Sequence, residues 1–152
     1  MRKDRLVATL FVLSSLVAIG VALWTRSSLP ISRQVGKPLG EVVFLLGMAF
    51  FIWAVMHLKG SFYGTVAPVS DEMVKSGPYR WVRHPLYLGM LITLLGIALA
   101  LRSLWGVVGV VVFFLPAVVY RARLEEEALA QKFKRDWDDY AERTSFLIPK
   151  YW

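Results

Sequence analysis

Four long apolar runs dominate this chain and decide what it can fold into. They cover residues 6–24, 39–58, 86–101 and 104–120. The first carries no charge over 19 residues, close to the ~20 that a membrane-spanning helix needs. The chain has 152 residues, of which 57% are hydrophobic. We therefore predict an all-α integral membrane protein with about four transmembrane helices, in which residues 1–152 form a single domain.

The last two apolar runs are short, and only Arg102 and Ser103 separate them. At about 1.5 Å per residue, the third run would make a helix ~24 Å long, against a hydrocarbon core of ~30 Å. The two runs predict a helical hairpin that either just reaches the far membrane face or turns inside the membrane.

The basic residues predict the orientation in the membrane. If the N-terminus is cytoplasmic, 14 of the 18 Lys and Arg residues lie on the cytoplasmic side. The positive-inside rule therefore favours cytoplasmic N- and C-termini. The basic start of the chain would also suit a signal peptide. The apolar part is long for one and no convincing cleavage site follows, so we expect a retained anchor.

The composition narrows the classes of ligand. The chain has no cysteine and only two histidines, His57 and His84, so no metal site is predicted. The net charge is +7. In a membrane protein this excess suits anionic lipid headgroups, and no nucleic-acid partner is expected.

Two polar clusters flank the predicted hairpin. The sequence GPYRWVRHPLYLG at 77–89 leads into the third run, and RARLEEE at 121–127 follows the fourth. The hairpin would bring both clusters to one membrane face, where burying so many polar groups is costly. Pro85 suits the first turn of a helix. Arg83 and His84 would then precede a helix N-terminus, a position that favours anions.

The residues of the first cluster have functional and structural interpretations. His84 can act as an acid, a base or a hydrogen-bond donor, or it can be an interfacial histidine bonded to the backbone. Arg80 and Arg83 can hold a carboxylate or phosphate, or extend towards the lipid headgroups. Tyr79 and Tyr87 can stack on a ligand or belong to the interfacial aromatic belt.

The second cluster has its own alternatives. Three consecutive glutamates usually form a solvated helix face, although carboxylates here could engage a cationic ligand. Pairing at i, i+4 would join Arg121 to Glu125 and Arg123 to Glu127, which leaves Glu126 without a local helical partner of that kind.

The segments outside the apolar runs are predicted from their composition. Glycines and prolines make the loop 59–84 irregular. After Tyr120 the apolar residues keep a helical period through Trp137. This pattern predicts an amphipathic C-terminal helical segment at 121–152 on the cytoplasmic side, lying along the membrane surface and folding back over the hairpin.

Taken together, the two clusters resemble a known pattern. The segments GPYR at 77–80 and RHPxYxG at 83–89 resemble the core motif of the isoprenylcysteine carboxyl methyltransferase family, which the phospholipid N-methyltransferases share more loosely. The segment EExxLxxxF at 125–133 resembles the C-terminal pattern of the same family in order and spacing. Tyr140, Arg143 and the pair Ile148-Pro149 complete it. The resemblance runs from about Gly64 to Pro149.

The resemblance implies an integral membrane methyltransferase that uses S-adenosylmethionine. It places the cofactor pocket between the last helices and the C-terminal segment, facing the cytoplasm, and brings a lipophilic or lipidated substrate in from the bilayer. Under this hypothesis Arg83 or Arg80 would orient a carboxylate of the acceptor or cofactor, and Glu125 or Glu126 would bind the cofactor. We predict Arg83, His84 and Glu126 as the catalytic residues. The cofactor-binding residues that the resemblance implies are Tyr79, His84, Pro85, Tyr87, Gly89, Glu125 and Glu126.

Two departures from the family pattern affect the C-terminal segment. Lys134 stands where a glycine usually follows the phenylalanine, and Trp137 stands where tyrosine is usual. The acceptor stays open between a carboxylate and a lipid amine; for an amine, His84 would be the base. Alternatives are an NADPH-dependent membrane reductase of the sterol-reductase type and a non-catalytic lipid-binding membrane protein. Four spans leave little room to enclose a lipid, so the chain could form an oligomer.

Overall fold

The computed structural model describes residues 2–58 and 72–149, with side chains from residue 6 onward. Its helices are α1 (Arg2–Trp24), α2 (Arg33–His57), α3 (Pro85–Ala100), α4 (Leu104–Phe133) and α5 (Arg135–Arg143). These residues contain no β-strand, apart from an isolated bridge between Val82 and Ser145. The predicted all-α fold is confirmed.

Three helices are long and apolar enough to cross a membrane: α1 over Leu6–Trp24, α2, and α4. The chain is therefore an integral membrane protein. Helix α3 is also apolar, but it has only 16 residues. The prediction of a fourth span stays a prediction, as do the single domain over 1–152 and the orientation.

Helix α4 is longer than the apolar run that predicts it. The run ends at residue 120, but the helix continues to Phe133 and reaches 30 residues. A π-helical segment, Val110–Phe114, interrupts its α-helical hydrogen bonding just before Pro116. Proline has no N–H and its ring crowds the preceding turn, so a local widening of the helix accommodates it. One continuous helix thus carries the apolar span and the glutamates of the second cluster.

Glycines let α2 and α3 pack closely. A Cβ atom on Gly47 would lie 2.5 Å from the backbone nitrogen of Thr93, and one on Gly40 would overlap the backbone of Ala100. The glycines of α3 act the same way, since a Cβ on Gly96 would overlap Phe44. Small residues at such contacts are typical of helix packing in membranes, where backbones can approach closely.

The predicted hairpin of α3 and α4 is present, with a tight turn at Leu101–Ser103 in which Arg102 has a φ of 53°. Helix α3 nevertheless packs mainly along α2, while α4 packs on α1. We call the end of the bundle with this turn the turn end. The opposite end holds Pro85 and the residues of α4 around Glu126, and we call it the site end.

The C-terminal segment is helical but broken. Lys134 separates α4 from α5 with a φ of 49° and a ψ of −117°, so the two helices are not continuous. Trp137 and Tyr140 are buried. The segment pairs with the residues just ahead of α3 through the Val82–Ser145 bridge. Its position on a membrane surface stays a prediction.

The loop predicted to be irregular is described only in part. Residues 59–71, which include Gly60, Gly64 and Pro68, lie outside the described residues, as do residues 150–152. The described part, 72–84, contains no α-helix and one short 3-10 turn, Gly77–Arg80. This agrees with an irregular connection into α3.

Candidate functional site

The two predicted clusters meet at the site end. Arg83 lies just ahead of α3, and its Nε donates to Glu126 Oε1 of α4 at 2.6 Å. Only 13% of the arginine side chain and 11% of the glutamate side chain are exposed. A hydrogen-bonded pair with this little solvent is strong because charge-assisted bonds gain from a low dielectric.

Arg83 also fastens the C-terminal segment. Its Nη1 donates to the backbone oxygens of Ala141, at 2.8 Å, and Thr144. The backbone adds two bonds, from Arg83 N to Ser145 O at 2.8 Å and from Ser145 N to Trp81 O at 3.0 Å. A single guanidinium thus connects α4, the end of α5 and the chain ahead of α3.

Beside this pair is a second network, centred on Tyr87 of α3. Its hydroxyl donates to Glu125 Oε1 and accepts from Arg121 Nε at 2.7 Å. Arg121 also lies 3.3 Å from the same carboxylate, as the i, i+4 spacing predicts. The guanidinium therefore balances the charge of Glu125.

His84 lies between the two carboxylates. Its Nε2 is 3.4 Å from Glu126 Oε1, and its Nδ1 is 3.8 Å from Glu125 Oε2. The imidazole is buried, with 5% exposed, and it stacks on the Tyr87 ring at 5.7 Å between centroids. The imidazole therefore has a carboxylate oxygen near each of its ring nitrogens.

The C-terminal segment covers this histidine. The Phe146 ring meets the His84 ring edge to face at 5.1 Å between centroids. On α4, the Arg123 guanidinium lies 4.5 Å from the Phe146 ring centre and also donates to Glu126 Oε2 at 3.2 Å. The spacing predicts no i, i+4 helical partner for Glu126, and Arg123, three residues earlier on the same helix, pairs with it at i, i+3 instead.

Two tyrosines support the site from the side of α5. Tyr140 OH donates to the backbone oxygen of Tyr79 at 2.8 Å. Burial, followed by the charges of Tyr140 and Glu125, raises the pKa of the Tyr79 phenol. Burial likewise raises the pKa of the Tyr140 phenol. Both hydroxyls therefore stay protonated at neutral pH, and Tyr140 remains a donor.

Other predicted residues lie at the edge of the site. Pro85 is fully buried at the start of α3. Gly89 faces α2, where a Cβ would lie 2.7 Å from the backbone nitrogen of Phe51. Close helix packing explains this glycine, and its predicted cofactor role stays a prediction. Arg80 is exposed and lies outside the network of contacts just described.

Sequence reasoning missed several contributors to the site. Nothing in the sequence marks Phe146, because its side chain is apolar. Nothing marks Ala141 and Thr144 either, because they contribute backbone carbonyl groups. Phe11 of α1 packs its ring 5.5 Å from the Tyr87 ring centre and 5.3 Å from the Arg121 guanidinium. Within an apolar run, nothing distinguishes such a phenylalanine from one that faces lipid.

The chain belongs to the phospholipid methyltransferase family. The model of that family matches residues 36–136, about two thirds of the chain. The match begins in α2 and ends just after the break at Lys134, so it contains both polar clusters. The resemblance predicted from these clusters is therefore confirmed.

Three relatives of named function are similar to the chain, and two of them are methyltransferases. The chain is 32% identical over 149 residues to the cobalt-zinc-cadmium resistance protein CzcN of Cupriavidus metallidurans, covering 96% of this chain and 62% of the relative. It is 29% identical over 76 residues to phosphatidylethanolamine N-methyltransferase B of Dictyostelium discoideum, covering 48% and 38%. It is 28% identical over 115 residues to protein-S-isoprenylcysteine O-methyltransferase of Saccharomyces cerevisiae, covering 73% and 48%. The chain thus spans between 38% and 62% of the length of these relatives.

Proposed function

We propose that this protein transfers a methyl group from S-adenosylmethionine to a lipophilic acceptor at the site end, which we orient towards the cytoplasm with both termini. One observation carries the proposal. Two carboxylates of α4, Glu125 and Glu126, converge with His84, just ahead of α3, and Tyr87 of α3 in a largely buried cluster at the end of apolar helices. The family membership and the two methyltransferase relatives support the reaction class.

The chemistry of these side chains suits the proposed cofactor. Carboxylates of Glu125 and Glu126 accept hydrogen bonds from an ammonium or from ribose hydroxyls, and the rings of Tyr87 and Phe146 suit a sulfonium, as aromatic faces suit other cations. When bound, S-adenosylmethionine supplies an electrophilic methyl group on a sulfonium. The protein would contribute alignment and exclusion of water.

Each predicted catalytic residue then has a proposed role. Arg83 already donates to Glu126 and to two backbone oxygens, so we propose that it positions Glu126 and the C-terminal segment. A carboxylate acceptor needs no base. An amine acceptor must lose a proton, which His84 would take, and the carboxylates near its two ring nitrogens would stabilise the imidazolium that forms. The named relatives include an N- and an O-methyltransferase, so both acceptors are retained.

The decisive experiment is calorimetric binding of S-adenosylhomocysteine to the detergent-purified protein. We expect micromolar binding by the wild type and at least a ~tenfold loss in Glu126→Ala. Glu41→Ala is the matched control, because that carboxylate is 55% exposed and belongs to the part of α2 near the turn end. Absence of binding by protein whose helicity and thermal unfolding show it to be folded would overturn the proposal.

A further inference from the structure

A groove of about 370 Å³ runs between α1 and α4 on the outer surface of the bundle. Its walls are almost entirely apolar. They include Val7, Leu10, Leu13 and Val17 of α1, with Phe113 and Ala117 of α4. The hydroxyl of Ser14, which also borders the groove, is bonded to the backbone oxygen of Phe11 at 2.8 Å. The groove thus offers a ligand no unsatisfied polar group from that side chain.

The position of the groove in the membrane determines which class of molecule can occupy it. Leu10, Leu13 and Phe113 are each about half exposed, on helices long and apolar enough to span a membrane. In the bilayer such side chains face hydrocarbon, because water is excluded at that depth. The occupant is therefore a hydrocarbon chain, and the question is whether it belongs to bulk lipid or to the acceptor.

The length of the groove matches one membrane leaflet. Its α1 wall extends from Val7 to Val17, a rise of ~15 Å at 1.5 Å per residue. A hydrocarbon core of ~30 Å gives each leaflet about the same depth. The groove reaches Tyr120, the residue next to Arg121, so its upper end lies at the level of the site.

Phe11 joins this groove to the polar site. Phe11 borders the groove and also contacts residues of α3 and α4. Its ring centre lies 5.5 Å from that of Tyr87 and 5.2 Å from that of Phe114, and the Arg121 guanidinium lies 5.3 Å from it. A chain in the groove would end beside the carboxylate-bearing cluster.

We propose that the α1–α4 groove binds the hydrocarbon chain of the methyl acceptor, with Phe11 as the residue that guides the acceptor's polar end towards Tyr87 and Glu125. This rests on the proposed function and assigns its substrate class: a lipid whose single chain lies in one leaflet. The α1 wall lies outside residues 36–136, which match the family model. Chain selection would therefore be a property of α1 in this protein.

The test uses native mass spectrometry with lysophosphatidylethanolamine carrying one palmitoyl chain. Ala117→Phe narrows the groove from α4, and Leu13→Trp does so from α1. Ala49→Phe is the matched control, because Ala49 is an exposed residue of α2 away from the groove. We expect saturable retention of one lipid by the wild type and the control, and a loss of at least ~tenfold in both groove variants. S-adenosylhomocysteine binding should be unchanged in all four proteins.

The outcomes separate this inference from the proposed function. Equal lipid retention in wild type and groove variants would show that only bulk lipid occupies the groove, and would overturn the inference. The inference also fails if Ala49→Phe loses as much lipid as Ala117→Phe. If no protein binds S-adenosylhomocysteine but retention still depends on the groove, the proposed reaction fails and the chain-binding groove stands.

Discussion

Arginines fasten both ends of this bundle, but their partners differ. At the turn end, Arg102 donates to the backbone oxygen of Ile31 at 3.0 Å and to the hydroxyl of Ser27 at 2.7 Å. At the site end, Arg83 and Arg121 donate to carboxylates. A turn between helices can thus be held by one cation and neutral oxygens.

The carboxylates at the site end need a different explanation. Burying an ion pair costs desolvation, and replacement by apolar groups is often neutral or stabilising. The turn end shows that this chain can close a helix connection without such pairs. We therefore propose that the charge at the site end serves ligand binding rather than stability, and the variants below test that difference.

The largest expected effect on stability and on cofactor affinity is that of Arg83→Lys, compared with Arg102→Lys at the turn end. Lysine cannot reproduce the three side-chain contacts of Arg83, because a guanidinium directs several donors along fixed lines. We expect Arg83→Lys to lower the free energy of unfolding by about 3 kcal/mol and the affinity for S-adenosylhomocysteine at least ~tenfold. Arg102→Lys should cost about 2 kcal/mol of stability and leave that affinity unchanged.

Thermal unfolding and calorimetry on the two variants provide the measurement. If both variants lose cofactor affinity equally, the two ends are not functionally distinct, and the contrast drawn from their partners fails.

Gly40→Ala should have the next largest effect on the free energy of unfolding. A Cβ at this position would overlap the backbone of Ala100 near the turn end. Neither backbone can yield easily, so we expect a loss of about 2 kcal/mol. Gly20→Ala is the control, because a Cβ there meets nothing within 4 Å, and the better helix propensity of alanine should stabilise α1 by about 1 kcal/mol. Opposite shifts in unfolding midpoint, with unchanged cofactor affinity in both, would confirm that this end serves packing.

Tyr87→Phe compares single hydroxyls at the two ends. It removes the group that joins Arg121 to Glu125, whereas Thr25→Val removes a 2.7 Å contact with the Ser103 hydroxyl at the turn end. Each should lower stability by about 1 kcal/mol. Only Tyr87→Phe should weaken S-adenosylhomocysteine binding, as calorimetry would show. A matching loss in Thr25→Val would mean that the effect reports general loosening of the bundle.

The fold class and the meeting of the two clusters can be predicted from the sequence because both depend on patterns along the chain. Hydropathy marks the spans, and Pro85 marks the start of α3. The contacts of α1 with the site cannot be predicted, since Phe11 lies in an apolar run without polar neighbours. The partner of Arg123 is also beyond sequence reasoning. Helical spacing allows a partner three or four residues away, and tertiary contacts with Arg83 and His84 place Glu126 on the inner side.

Lys134 gives a further test at the site end, because its backbone conformation is unusual for a residue with a side chain. It adopts a φ of 49° and a ψ of −117°, a region that glycine enters far more easily than residues with a Cβ. This accounts for the glycine usual at that position in the family that the sequence resembles. Because Lys134 is exposed, its replacement should remove strain without removing a buried contact.

We therefore expect Lys134→Gly to stabilise the protein by about 1 kcal/mol, measured as a higher thermal midpoint. Gln131→Gly is the matched control, three residues earlier on the exposed face of α4, where glycine should instead cost about 1 kcal/mol. The break at Lys134 also sets where α5 and Phe146 lie over His84. If the strain serves only to redirect the chain, S-adenosylhomocysteine affinity will persist in Lys134→Gly. A more stable variant that binds more weakly would show instead that the strained lysine helps to hold the C-terminal segment over the site.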